Sequence, residues 1–317
     1  MVNCFSAIDA FDACPRRVSP RRRLSRPQAY NVSAAGPLAH GEHVMSTHLR
    51  AYEAPGAVKA PGFADAALRR TAGLWFSVAV LGQWAFLYRV VAQYGVATVS
   101  GHFEDWQRNN VLFRGYVPGD TVGNLAFAAH VMLAAVIAAG GTLQLIPQIR
   151  ARALSVHRWN GRAFMLAAVV AALSGLYMNW IRHANSGPVN SIGVSLNAVL
   201  ILPCVAMAWR AIRAGDIDRH RRWALRAFMV VNGVLFKRLL SFGWGKLTAG
   251  ADMPGVDYVF EFGSYLIPLA VLELYLRAKA SRSRNAQLAT ALVLLVVTAY
   301  MCVGTVAYTM WVVRKQG

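Results

Sequence analysis

From position 71 onward the chain alternates between long apolar windows and short polar connections, most of them basic. A helix rising 1.5 Å per residue needs about 20 apolar residues to cross a hydrocarbon core of ~30 Å. Seven windows come close to that requirement: 72–94, 123–146, 160–182, 190–211, 223–243, 256–277 and 286–312. In lipid a single segment can satisfy its own backbone only as a helix, so every window is expected to be helical. The pattern therefore predicts an all-α polytopic bundle over 71–317, with a four-helix core formed by the second to fifth helices. Pro203 and Pro268 fall inside windows and are expected to bend their helices.

Residues 1–70 break the pattern. They hold ten Arg/Lys and several prolines, with no window long enough to span. Three readings compete for this stretch: an Arg-rich transit peptide, a disordered basic arm, or a start codon placed too early, with residues 1–44 preceding a normal beginning at Met45. Asp9, Asp12 and Cys4 sit badly in a transit peptide, so an arm or an early start is favoured.

Composition agrees with the pattern. Hydrophobic residues make up 56% and charged residues 15%, where a soluble domain carries about 25% charged. Four cysteines without motif spacing exclude a disulfide framework and a cysteine-rich zinc module. The net charge of +19 is distributed unevenly over the connections. The connections 147–159, 212–222 and 278–285, with their helix ends, hold fourteen Arg/Lys, and the other face with the C-terminal tail holds six. The positive-inside rule then places the N-terminus inside and the C-terminus outside. Positive charge spread over loops beside membrane helices does not form a nucleic-acid surface; the bilayer, and anionic lipid headgroups at the inner arginine loops, are the expected partners.

An internal repeat lies within this layout. Trp159-Asn-Gly-Arg162-Ala-Phe-Met165 recurs as Trp223-Ala-Leu-Arg226-Ala-Phe-Met229, and each copy follows a His-Arg pair, His157-Arg158 and His220-Arg221. Two helical hairpins related in this way would enclose a core of the kind that holds cofactors between facing helices.

Ionisable groups within spans are costly and mark candidate sites. His130 lies about 12 Å into the second helix. Asn197, Lys237, Arg238 and Glu261 fall at a comparable depth in the outer half, where a cation and a carboxylate can offset each other's burial. They form a candidate substrate-binding cluster; the alternative is a structural ion pair with a snorkelling cation. On the inner side, His157 and His220 occupy equivalent positions of the two repeat copies. Neutral imidazoles so placed can ligate one haem b iron, with arginines near its propionates; the alternative is a set of lipid-anchoring loops. A two-haem arrangement lacks an outer histidine pair, since His183 lies at the water boundary. No phosphate loop, HExxH, GxSxG or dinucleotide fingerprint is present.

The stretch from Asn124 to about Leu247 resembles a bacterial family of multi-spanning membrane proteins known as domain of unknown function 2306. The resemblance is carried by His130, Gly141-x-x-Gln144 with Pro147 and Arg150, His157-Arg158-x-x-Gly161-Arg162, Gly215-Asp216, His220-Arg221-x-Trp223 with Arg226, and Arg238. It implies the fold and a bacterial plasma-membrane location, and no established activity. The pattern is also distantly similar to small four-helix membrane cytochromes and oxidase-assembly proteins. Three functions follow as expectations: a haem- or redox-associated protein using His157 and His220 or His130, a transporter or small-molecule binder with an outer cavity, and a non-catalytic assembly or lipid-interacting factor.

Overall fold

The computed structural model describes residues 62–109, 115–184, 187–281 and 283–316, and no strand occurs among them. The basic arm expected over 1–70 lies almost wholly outside the described residues. Helix α1 (Phe63–Val90) begins ahead of its apolar window and runs on through a π-helical turn, Val91–Gly95, and the short helix Val96–Ser100. Gly101, at φ 74°, ends it in the left-handed conformation that favours glycine.

Apart from the short helical segments Phe103–Asn109 and Pro147–Arg152, the remaining helices among the described residues are α2 (Thr121–Gln144), α3 (Leu154–Trp180), α4 (Pro188–Arg213), α5 (Ile217–Val231), α6 (Gly233–Leu247), α7 (Val256–Ala280) and α8 (Arg284–Gln316). Asp120 and Asp216 cap α2 and α5 by accepting the backbone N–H of Gly123 and Arg219. Pro203 and Pro268 are accommodated within α4 and α7.

Among the described residues, six helices are long and apolar enough to cross a membrane. The fifth expected span, 223–243, instead falls on two 15-residue helices, α5 and α6, which meet at Asn232. Asn232 adopts φ −88° and ψ 13°, so the helix bends there rather than running through. The two halves lie along one partner helix. Arg226 of α5 pairs with Glu273, and Lys237 of α6 with Glu261, so the broken segment runs antiparallel to α7 across the break.

Polar contacts also hold α2 and α3 in antiparallel register along their whole length. Gln144 donates to the His157 carbonyl at 2.7 Å and Asn160 to the Gly140 carbonyl at 2.8 Å. Farther along, His130 meets the Ala171 carbonyl at 2.9 Å, and at the far end Arg182 donates to Asp120 and Asn124, each at 2.8 Å. Helices α1, α6 and α8 close the other side of the bundle. There Gly304 lies against the backbone of α6, and a Cβ at this position would collide with the Leu239 carbonyl oxygen.

The outward faces are apolar. Trp84, Leu125, Leu173, Val199, Leu292 and Val296 each expose more than half their surface. A soluble monomer rarely exposes so extensive an apolar belt; around a bundle of spanning helices it is the surface that lipid covers.

Candidate functional site

Several residues of the resembling motifs are engaged in helix packing. Gly141 faces the rings of both repeat phenylalanines: a Cβ there would lie 3.0 Å from Phe164 and 3.1 Å from Phe228. Gly161 opens room for Gln144, which clasps the His157 carbonyl. The two repeat copies also share a local geometry. Arg162 lies over the Trp159 ring and Arg226 over the Trp223 ring, each 4.8 Å from the centroid.

The three candidate histidines lie apart from the candidate substrate cluster. His130 turns to α3, where its Nδ1 is 2.9 Å from the Ala171 carbonyl and 3.3 Å from Ser174 Oγ. An Nδ1–H donated to that carbonyl leaves the Nε2 lone pair free, and no contact joins His130 to Asn197. His220 makes the same kind of bond to the Ala208 carbonyl, at 2.9 Å. His157 is within electrostatic reach of His220, with Arg150 and Arg158 beside it, and its Nδ1 is buried without a hydrogen-bond partner among the described residues.

Of the expected cluster Asn197, Lys237, Arg238 and Glu261, three residues come together. Lys237 pairs with Glu261, which is buried in the bundle. Asn197 packs on Gly233, where a Cβ would stand 2.8 Å from the Asn197 amide nitrogen and 3.5 Å from Cβ of Tyr265. Gly193, one turn away on α4, faces Glu261 in the same manner at 2.9 Å. These residues form a polar seam between α4, α6 and α7. Arg238 points elsewhere, lying 4.9 Å over the Phe86 ring and donating to the Val234 carbonyl. Consecutive residues on a helix project about 100° apart, so Lys237 and Arg238 cannot share one target.

Two features lie outside the sequence-derived candidates. The first is a mid-bundle amide cluster. Gln83 donates to the Asn232 side-chain oxygen, Asn232 donates to the Phe228 carbonyl at 2.8 Å, and Thr142 reaches Gln83 at 3.4 Å. Gln83 and Asn232 are 2% and 4% exposed, so the break between α5 and α6 is tied to α1 and α2 by buried hydrogen bonds.

The second is a cavity of about 300 Å³ at the arginine-rich end, between α1, α5, α7 and α8. Its inner wall is apolar, with Trp75, Phe228, Met229, Pro268, Leu272 and Leu294. Its mouth carries Arg221, Arg222 and Lys279 beside Asp218. None of the three candidate histidines lines it. The arginines were legible as loop charge, but the apolar wall comes from four separate helices and follows only from their packing.

Apolar helices of spanning length and a lipid-facing belt define a multi-pass helical membrane protein. Within that class, residues 127–276 match the family described as "Predicted membrane protein (DUF2306)". The matched region runs from Phe127 in α2 to Leu276 in α7, so it holds the polar seam and two walls of the cavity. No curated protein and no solved structure matches the chain.

Proposed function

We propose that the protein binds a single-chain anionic amphiphile drawn from the leaflet at its arginine-rich face. The observation that carries this reading is the amphipathic cavity, whose apolar wall ends in a mouth bearing Arg221, Arg222 and Lys279. Ligand pockets span roughly 300–1,000 Å³, so a cavity at the lower limit suits one acyl chain better than two. Guanidinium groups give a phosphate or carboxylate headgroup charge-assisted hydrogen bonds. With the loop charges read by the positive-inside rule, the site faces the cytoplasmic leaflet of a bacterial inner membrane. The reading makes the protein a lipid-interacting factor, and it assigns no reaction.

The test is equilibrium binding of brominated lysophosphatidic acid, followed by tryptophan quenching in mild detergent, with brominated lysophosphatidylcholine as the zwitterionic control. Quenching through Trp75 is expected to favour the anionic lipid. Arg222→Gln combined with Lys279→Gln is expected to weaken that binding about tenfold, the loss of roughly 1.4 kcal/mol. Equal quenching by the two lipids, unaltered in the double variant, rules out a headgroup site.

A second reading, haem b between His157 and His220, is favoured by the proximity of the two imidazoles and by the His220 Nδ1 bond to Ala208, which leaves its Nε2 free. His130 offers the same free Nε2 in the other half of the bundle. Oxidised and dithionite-reduced absorption spectra of protein purified from haem-supplied cells decide this reading. A Soret band lost in His157→Ala or His220→Ala, but retained in His130→Ala, places haem at the arginine-rich face. A colourless folded protein excludes it.

A further inference from the structure

The seam between α4, α6 and α7 holds buried polar atoms that no described residue serves. Glu261 accepts from Lys237 through one carboxylate oxygen. The side-chain oxygen of Asn197 and the hydroxyl of Tyr265 are both buried without a partner among the described residues. Tyr265 is 1% exposed, and it sits one helical turn from Glu261 on the same face of α7. Long side chains on a helix lean toward its N-terminus, which carries the Tyr265 ring back toward Glu261.

An ionised carboxylate and an amide oxygen are both acceptors and cannot satisfy each other. A proton placed between them can. The close approach that Gly193 and Gly233 allow brings Asn197 and Glu261 onto one seam, where low polarity makes an unsatisfied group costly. The Lys237 side chain is 35% exposed, so the seam reaches the outside of the bundle there. Asn190, farther out on the same stripe of α4, adds another buried oxygen without a partner among the described residues.

We propose that this seam is a proton-binding site. A hydronium ion at the face opposite the arginine-rich loops gives up its proton to the Glu261 carboxylate, and water leaves. The new O–H is taken by the Asn197 side-chain oxygen, directly or through one water shared with the Tyr265 hydroxyl. The ion pair loses its anionic member, the charge of the seam rises by one, and Lys237 is released toward the surface. The proposal does not depend on the amphiphile site, which lies at the other end of the bundle.

The charged and titratable groups around Glu261 are few. From α6 it faces Lys237, while Arg238 is turned onto Phe86. From its own helix it faces Tyr265, with Asp257 one turn outward and exposed. From α4 come Asn190, Gly193 and Asn197, none of which titrates. On α8, Tyr300 donates to the Leu240 carbonyl and Tyr308 lies with Arg89 and Arg238.

Infrared difference spectroscopy of the full chain in lipid films, stepped from neutral to acidic buffer in H₂O and D₂O, tests this. The wild type is expected to gain a protonated-carboxyl C=O band that shifts down in D₂O and is missing in Glu261→Gln. In Asn197→Leu the band is expected to move to higher frequency, because its hydrogen-bond acceptor is gone. A band that persists in Glu261→Gln, or one unmoved by Asn197→Leu, overturns the proposal. Lys237→Met provides a second test should Glu261→Gln fail to fold. With its ion-pair partner removed, the carboxyl band is expected to change in frequency, and a band identical to that of the wild type counts against the site.

Discussion

Asp120 performs two tasks with one carboxylate. It caps α2 through the Gly123 N–H at 2.8 Å and receives Arg182 from the end of α3. The Gly123 hydrogen bond first, and then the Arg182 guanidinium, hold its carboxyl below the usual carboxylate range. The sign of the linkage follows. A group with a lowered folded-state pKa contributes stability that is present above its unfolded value and is lost as pH falls through the folded value. Melting in detergent is therefore expected to show wild type more stable than Asp120→Asn at neutral pH, with the gap closing on acidification. A gap independent of pH assigns the effect to packing instead. Glu273 is another residue whose partner the sequence did not reveal. Its fork with Arg226, at 2.6 and 3.0 Å, has the bidentate geometry that makes guanidinium–carboxylate pairs specific.

At the scale of elements, the helices are held by small residues and buried amides as much as by apolar bulk. Lipid is as apolar as the side chains it meets, so close backbone approach and interhelical hydrogen bonds must supply the association. The α6–α8 contact turns on Gly304, where any side chain meets the Leu239 carbonyl. Gly304→Ala is expected to destabilise the protein by about 1–3 kcal/mol through forced backbone movement. Gly245→Ala, at a position with nothing within 4 Å, should be neutral or stabilising by up to about 1 kcal/mol. Thermal unfolding of the two variants in one detergent compares them directly, and equal effects would remove the steric argument. The break at Asn232 belongs to this scale as well. A hydropathy window sees 223–243 as one span because an amide among apolar residues barely lowers the average. Only its partners Gln83 and Phe228, on α1 and α5, show why the helix bends there.

For the whole molecule, the loop charges predict a single orientation. Two positions on opposite faces separate it from its reverse: Ala251, in the connection between α6 and α7, and Ser283, just ahead of α8, both exposed. With the N-terminus inside, Ala251→Cys is expected to react with a membrane-impermeant maleimide on intact cells. Ser283→Cys should react only after permeabilisation, and the opposite pattern would invert the assignment of both the cavity and the seam. The two sites then face different leaflets, joined by the same faces of α5–α6 and α7.

What the sequence determined was the class of molecule and its coarse layout. Apolar windows, the absence of any alternative for a lipid-embedded backbone, and the clustering of arginines on alternate connections require only counting along the chain. It also picked out Lys237, Glu261 and Asn197 as costly groups inside spans. It could not say that Lys237 rather than Arg238 meets Glu261, since that depends on how α6 is rotated against α7. Glycines at 141 and 161 read as packing positions from the sequence, but it could not show which side chains they meet, that Gln83 and Asn232 are partners, or that four helices leave a cavity behind an arginine-rich mouth. Each of these joins residues far apart in sequence, and only the tertiary packing of the helices sets which of their faces meet.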